Sequence, residues 1–117
     1  MKNQSFIKKL AYAVDGFVYA VKQEHNMRRH LLAALLAILV FVWLQPAALW
    51  WALIVLCIAL VWSAELINSA LEALIDHLHP QLHPQIKHVK DMLAAMVLVF
   101  SLAALIVGLL AMYSTLD

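Results

Sequence analysis

Three long apolar runs dominate the chain: "LLAALLAILVFVWL" (Leu31 to Leu44), "AALWWALIVLCIALVWSA" (Ala47 to Ala64) and "MLAAMVLVFSLAALIVGLLAMY" (Met92 to Tyr113). A helix needs about 20 apolar residues to cross the hydrocarbon core of a bilayer. The second and third runs reach that length. The first is shorter, but Arg28, Arg29 and His30 at its lower end can snorkel toward the interface and let a longer helix span. Three transmembrane helices are predicted, over residues 28–45, 47–76 and 91–113.

Ahead of them the pattern changes. Phe6, Ile7, Leu10, Val14, Phe17, Val18 and Val21 fall, at about 100° per residue, within roughly a third of a helical wheel, while Lys8, Lys9, Asp15, Tyr19 and Lys22 fall opposite. Residues 1–27 therefore read as an amphipathic helix lying on the membrane surface. Glu24 projects onto the edge of its apolar face and would be aimed at the bundle if the helix persists that far. The expected fold is an all-α membrane protein of one domain, an N-terminal amphipathic surface helix plus three transmembrane helices.

Polar punctuation divides the elements. Gln45 and Pro46 make a tight turn, and Trp43, Trp50 and Trp51 crowd it as an interfacial aromatic belt would, with Tyr113 at the same level on the third span. Pro80 and Pro84 are expected to stop the second helix and open a loop over residues 77–90. Nothing resembles a flexible linker or a repeat.

Composition strengthens the membrane reading: 66% of the residues are hydrophobic and 13% charged, far outside the soluble range. A net charge of +1 excludes a strongly basic nucleic-acid surface, so no nucleic-acid partner is expected. Charge placement is more informative. Lys2, Lys8, Lys9, Lys22, Arg28 and Arg29 precede the first span, and Lys87 and Lys90 lie between the second and third. The positive-inside rule puts the N-terminus and the 77–90 loop in the cytoplasm, and the "LQPAA" turn and C-terminus outside. Lys8, Lys9 and Asp15 interrupt the N-terminal apolar residues, and no small-residue cleavage site follows, so this segment is not expected to be a cleaved signal. The single cysteine, Cys57, lies inside the second span and is expected to pack rather than react.

Chemistry concentrates at the end of the second span, in "AELINSALEALIDH". From Ala47 to Asp76 a helix would be about 45 Å long, against a core of roughly 30 Å, so its last turns stand at or beyond the cytoplasmic interface. Glu65, Asn68, Glu72 and Asp76 are spaced by three, four and four residues and line one face within about 80°. Ionisable groups at such a depth are a functional hypothesis by default. Glu72 and Asp76 are like charges one turn apart, a conflict that a bound cation would remove. Magnesium, which takes few carboxylates and keeps phosphate and water oxygens, suits such a pair. Glu65 lies about 10 Å deeper than Glu72, at lipid headgroup level. The plainer alternative is a set of interfacial acids solvated by water or paired with Lys87 and Lys90.

Lys90 could hold phosphate oxygens or merely snorkel, and Asp91 could complete the acidic site or cap the third helix. His77, His79, His83 and His88 cluster in the loop without a helical metal-binding pair, and structural roles are expected for them. No glycine-rich phosphate loop and no protein-kinase motif occurs, so ATP would depend on carboxylate-held magnesium and a few cations.

These residues bring the chain to a resemblance. "AELINSALEALID", followed fourteen residues after Asp76 by "KDMLAAMVL", is similar to the pattern E-x-x-N-[ST]-A-x-E-x-x-x-D and K-D of the small bacterial membrane lipid kinases of the prokaryotic diacylglycerol kinase and undecaprenol kinase type. "GFVYAVKQEHNMRRHL" looks like that family's first helix with its own glutamate, and the resemblance covers nearly the whole chain. It implies an ATP-dependent phosphotransferase acting on a lipid alcohol in the bacterial cytoplasmic (inner) membrane, working as a homotrimer with shared active sites and requiring Mg2+. It further implies Glu65 as general base and Glu24 and Glu72 as metal ligands. Asn68, Asp76, Lys90 and Asp91 become polar residues of the same site, and Arg28 a basic position after the surface helix. Asp15 departs from the pattern, standing where relatives commonly have a basic residue. "EHNMRRH" and "HPQIKHVKD" resemble the undecaprenol kinase members more than the enterobacterial diacylglycerol kinases.

Two other classes compete. A small multidrug-type proton-coupled transporter also carries an intramembrane glutamate, but needs four spans where three account for every apolar run. A non-catalytic anchoring protein would leave the ordered acidic stripe without a purpose.

Overall fold

The structure, a computed structural model, describes residues 3–117; Lys2, one of the cations counted above, lies outside them. Four helices follow one another: α1 (Phe6–Gln23), α2 (His25–Leu44), α3 (Ala48–Leu78) and α4 (Pro84–Leu116). The last three are each long and apolar enough to cross a membrane. The protein is all-α and membrane-embedded.

Ser5 caps α1, its hydroxyl accepting from the Lys8 amide at 3.3 Å. The helix is amphipathic, but it does not persist to Glu24. That residue is extended, at φ −116° and ψ 119°, and forms the corner between α1 and α2. Arg28, one turn into α2, fastens the corner: its Nη1 donates to the carbonyls of Val21 (2.8 Å) and Lys22 (2.9 Å), and its Nη2 meets His25 Nδ1 at 2.8 Å. A guanidinium on the last carbonyls of a helix satisfies orphan acceptors and opposes the negative end of the dipole. Replacing Arg28 by Ala should therefore loosen α1 while leaving the spans folded, read as faster amide exchange confined to residues 6–23; unchanged exchange there would contradict this fastening.

The turn between α2 and α3 uses Gln45 in the left-handed conformation (φ 56°, ψ 63°), its amide bonded to the Phe41 carbonyl at 2.8 Å, before Pro46. Above it, Phe41, Ile54 and Ala111 form a small core flanked by Trp50, Trp51 and Met112, with Phe41 and Trp51 edge to face.

The connection between α3 and α4 differs from the sequence expectation. α3 continues to Leu78, and α4 begins at Pro84, so the connection is His79–His83 rather than 77–90. Proline lacks an amide hydrogen and has a preset φ, which suits the first position of a helix as well as a break after one. Pro84 starts α4, while His83 caps it, its Nδ1 accepting from the Gln85 amide at 3.1 Å. Lys87, Lys90 and Asp91 are consequently helical, and Asp91 is not a cap.

Candidate active site

The stripe on α3 is present, and its members differ sharply in surroundings. Glu65 is buried, 1% exposed, although it is a carboxylate on an apolar helix. Asn68, 7% exposed, is the other buried polar residue one turn further on. Glu72 is half-buried and Asp76 exposed, so the stripe runs from a dry end to a wet one.

Burying a charge is costly unless something compensates it. Two neighbours do so for Glu65. The hydroxyl of Ser69, one turn along α3, donates to Oε1 at 3.5 Å, and the imidazole Nε2 of His30 on α2 stands 3.5 Å from Oε2. Glu24 and Glu72 are close enough for their charges to act on Glu65 as well. The corner between α1 and α2 thus brings Glu24 to the stripe even though the helix breaks there. His30 is itself held in place: the indole Nε1 of Trp62 donates to its backbone carbonyl at 3.3 Å, and Phe17 of α1 packs against that indole with ring centres 5.7 Å apart.

Asn68 Oδ1 is buried without a hydrogen-bond partner. Most buried polar atoms are paired, so an orphan acceptor between two glutamates marks a place where a donor or cation from a ligand would be welcome. Glu24 and Glu72 have no basic side chain within ion-pair distance among the described residues, unlike Asp76 and Asp91. Both therefore stay available to a cation, and carboxylates in that small number are what magnesium accepts when phosphate oxygens fill its remaining positions.

At the wet end, Lys90 Nζ donates to Asp76 Oδ1 at 2.5 Å, tying α3 to α4, and Lys87 pairs with Asp91 at 2.6 Å along α4. The hydrogen bond from Lys90 to Asp76 holds the lysine ammonium above its ordinary value, so it stays charged at neutral pH. Lys90 stands beside the stripe, held to its last member Asp76; Asp91, committed to Lys87 and exposed, is not drawn into it by the structure. Arg28 serves the α1 corner. The loop histidines have local work, His83 as the cap of α4 and His79 meeting the Gln81 carbonyl at 3.1 Å.

A groove of about 450 Å³ leads away from this site between α2, α3 and α4. His30 and Trp62 stand at one end and Phe41 and Met112 at the other; Ala37, Cys57 and Gly108 lie between, so its walls are almost wholly apolar.

His30 and Ser69 are the site neighbours that sequence reasoning missed. Ser69 was legible in principle, one helical turn from Glu65. The sequence places His30 at the interface and at the end of "EHNMRRH" but does not join it to Glu65, because the contact links positions 35 apart in sequence across two helices.

A three-span helical membrane protein with a buried carboxylate beneath a half-buried pair is thus the class that fold and site define. The prokaryotic diacylglycerol kinase family matches residues 11–112. The chain is 31% identical over 105 residues to an undecaprenol kinase of Bacillus subtilis (strain 168), covering 90% of this chain and 85% of that one. It is 32% identical over 108 residues to a diacylglycerol kinase of Escherichia coli (strain K12), covering 92% and 88%, and 36% identical over 88 residues to one of Helicobacter pylori (strain ATCC 700392 / 26695), covering 75% and 69%. The chain belongs to the prokaryotic diacylglycerol kinase family. It is a bacterial membrane protein of a lipid-kinase family.

Proposed function

We propose that the protein transfers the γ-phosphate of ATP to the hydroxyl of a membrane lipid alcohol at the cytoplasmic face, giving a lipid phosphate and ADP. The observation that carries this is the buried Glu65 carboxylate, one turn from the orphaned Asn68 Oδ1 on a face that also carries Glu72, an acid with no basic partner among the described residues.

A lipid hydroxyl lies at the depth of Glu65. Its proton passes to the Glu65 carboxylate as the oxygen attacks phosphorus, a general-base step. Ser69 and His30 hold the two carboxylate oxygens in place. The single proton of that hydroxyl goes to Glu65, so the open Asn68 Oδ1 is left for a second donor or a cation brought by the bound substrates. Nearer the cytosol, Glu24 and Glu72 would hold Mg2+, which when bound neutralises charge on the nucleotide's phosphates. Lys90 offers a cationic point contact to phosphate oxygens by exchanging Asp76 for them. The same orientation leaves the turn at Pro46 and the C-terminus outside. The working unit is a homotrimer, as the resemblance implies.

The apolar tail of the alcohol has a place to lie, the groove that starts at His30. A Cβ added at Gly108 meets nothing within 4 Å, and Gly108 lines the groove, so Gly108→Leu would put a side chain into it. It should raise the KM for the lipid by about tenfold, on the order of 1.4 kcal/mol, with the KM for ATP unchanged. An unchanged lipid KM would remove the tail from the groove.

Undecaprenol is the favoured acceptor, supported by the likeness of "EHNMRRH" and "HPQIKHVKD" to undecaprenol kinase members. Purified protein in mixed micelles, given ATP, Mg2+ and equal mole fractions of undecaprenol and diacylglycerol, should label undecaprenol faster. Faster labelling of diacylglycerol would reassign the acceptor, and label on neither would overturn the phosphotransferase assignment.

A further inference from the structure

Each turnover leaves a proton on Glu65, and Glu65 cannot act again until it is lost. The carboxylate is poorly placed to release it. Its side chain is 2% exposed, whereas that of His30 is 22% exposed. Ser69 donates to Oε1, and a hydroxyl or the Asn68 amide is no useful base at neutral pH. Glu72 lies two turns away along α3. His30 is the one basic side chain in contact with Glu65 among the described residues, and its imidazole alone spans the boundary between the buried acid and the more open corner.

We infer that His30 is a positioning residue that orients Glu65 and carries its proton out of the site. This rests on the phosphotransferase assignment and extends it. The proton taken from the lipid hydroxyl moves from Glu65 Oε2 to His30 Nε2, restoring the carboxylate and forming an imidazolium. Nδ1 then gives up its proton to water, and proton exchange with water moves the hydrogen left on Nε2 back to Nδ1, so that the neutral ring can accept again. No electron changes hands, and the net release is one proton per lipid phosphate. The 3.5 Å separation is long, as is common for proton-transfer contacts before substrate is bound.

The charged groups facing this pair come from each neighbouring segment: Glu24 from the α1–α2 corner and Glu72 from α3 both act on Glu65. Trp62 and Phe17 add no charge; the indole bond to the His30 carbonyl fixes the backbone from which the imidazole reaches Glu65.

His30→Ala and His30→Gln should both lower kcat, by about tenfold to a hundredfold, with the KM for ATP unchanged. Gln can still hydrogen-bond Glu65 but cannot take up a proton and release another. Imidazole added to the buffer should restore His30→Ala, whose side-chain space is vacant, and leave His30→Gln low. Three results would overturn the inference: wild-type turnover in His30→Ala, wild-type turnover in His30→Gln, or a loss in His30→Ala that imidazole never restores. A wild-type protein that phosphorylates no lipid alcohol would instead bring down the phosphotransferase assignment, and this inference with it. Wild-type activity measured in parallel separates the two failures.

Discussion

Glu65→Gln is expected to abolish lipid phosphorylation, with kcat lower by about a hundredfold to ten-thousandfold, while ATP binds within about twofold of wild type. The substitution keeps the shape of the side chain and removes only its capacity to take a proton. Because Glu65 is buried and Glu72 lies two turns further along α3, the nucleotide end of the stripe should sense only the loss of a like charge, which leaves its carboxylates in place. Stability should hold or rise. A neutral amide is easier to bury than a carboxylate compensated only by a long serine contact and a histidine at 3.5 Å. Thermal unfolding in detergent together with ATP binding checks both halves. Loss of nucleotide binding, with turnover falling only in proportion, would take Glu65 out of the base role and place it among the ATP contacts.

Glu72→Ala is expected to fail in the opposite way. Nucleotide affinity should drop by about tenfold or more, the Mg2+ concentration for half-maximal rate should rise, and the KM for the lipid should stay where it was. Excess Mg2+ should recover part of the rate, since Glu24 remains. Without metal or nucleotide the variant should be slightly more stable than wild type, by a few tenths of a kcal/mol, because Glu72 and Asp76 are like charges one turn apart. Titrating Mg2+ at fixed ATP gives the answer. An unaltered metal requirement would show that Glu72 holds no metal. The two variants together divide the stripe into a proton end and a phosphate end, and a shared phenotype would deny that division.

The spans were legible because their pattern obeys a single rule, apolar residues over the thickness of a bilayer. The acidic stripe was legible for a related reason: residues on one helix keep their spacing whatever they pack against. The corner at Glu24 was not. Nothing in "VKQEHNM" breaks a helix, and the corner is set where α1 turns into α2, with Arg28 closing it. Pro84 was ambiguous because proline both ends and begins helices, and only the chain around it decides which. His30 was the larger omission. Its partner lies on another helix, and a contact at long sequence separation leaves no periodic trace in either segment. Arg28 taught a different lesson: a basic residue near an expected phosphate site is committed in this structure to backbone carbonyls.

The central claim is that this one chain, through a face of α3, joins a lipid hydroxyl to a nucleotide's terminal phosphate. The most direct measurement follows lipid phosphate and ADP together during turnover by purified wild-type protein supplied with γ-labelled ATP and undecaprenol, with and without Mg2+. The account predicts Mg2+-dependent transfer of label to the lipid, with one ADP formed per lipid phosphate. ADP released with free phosphate and no labelled lipid would contradict it.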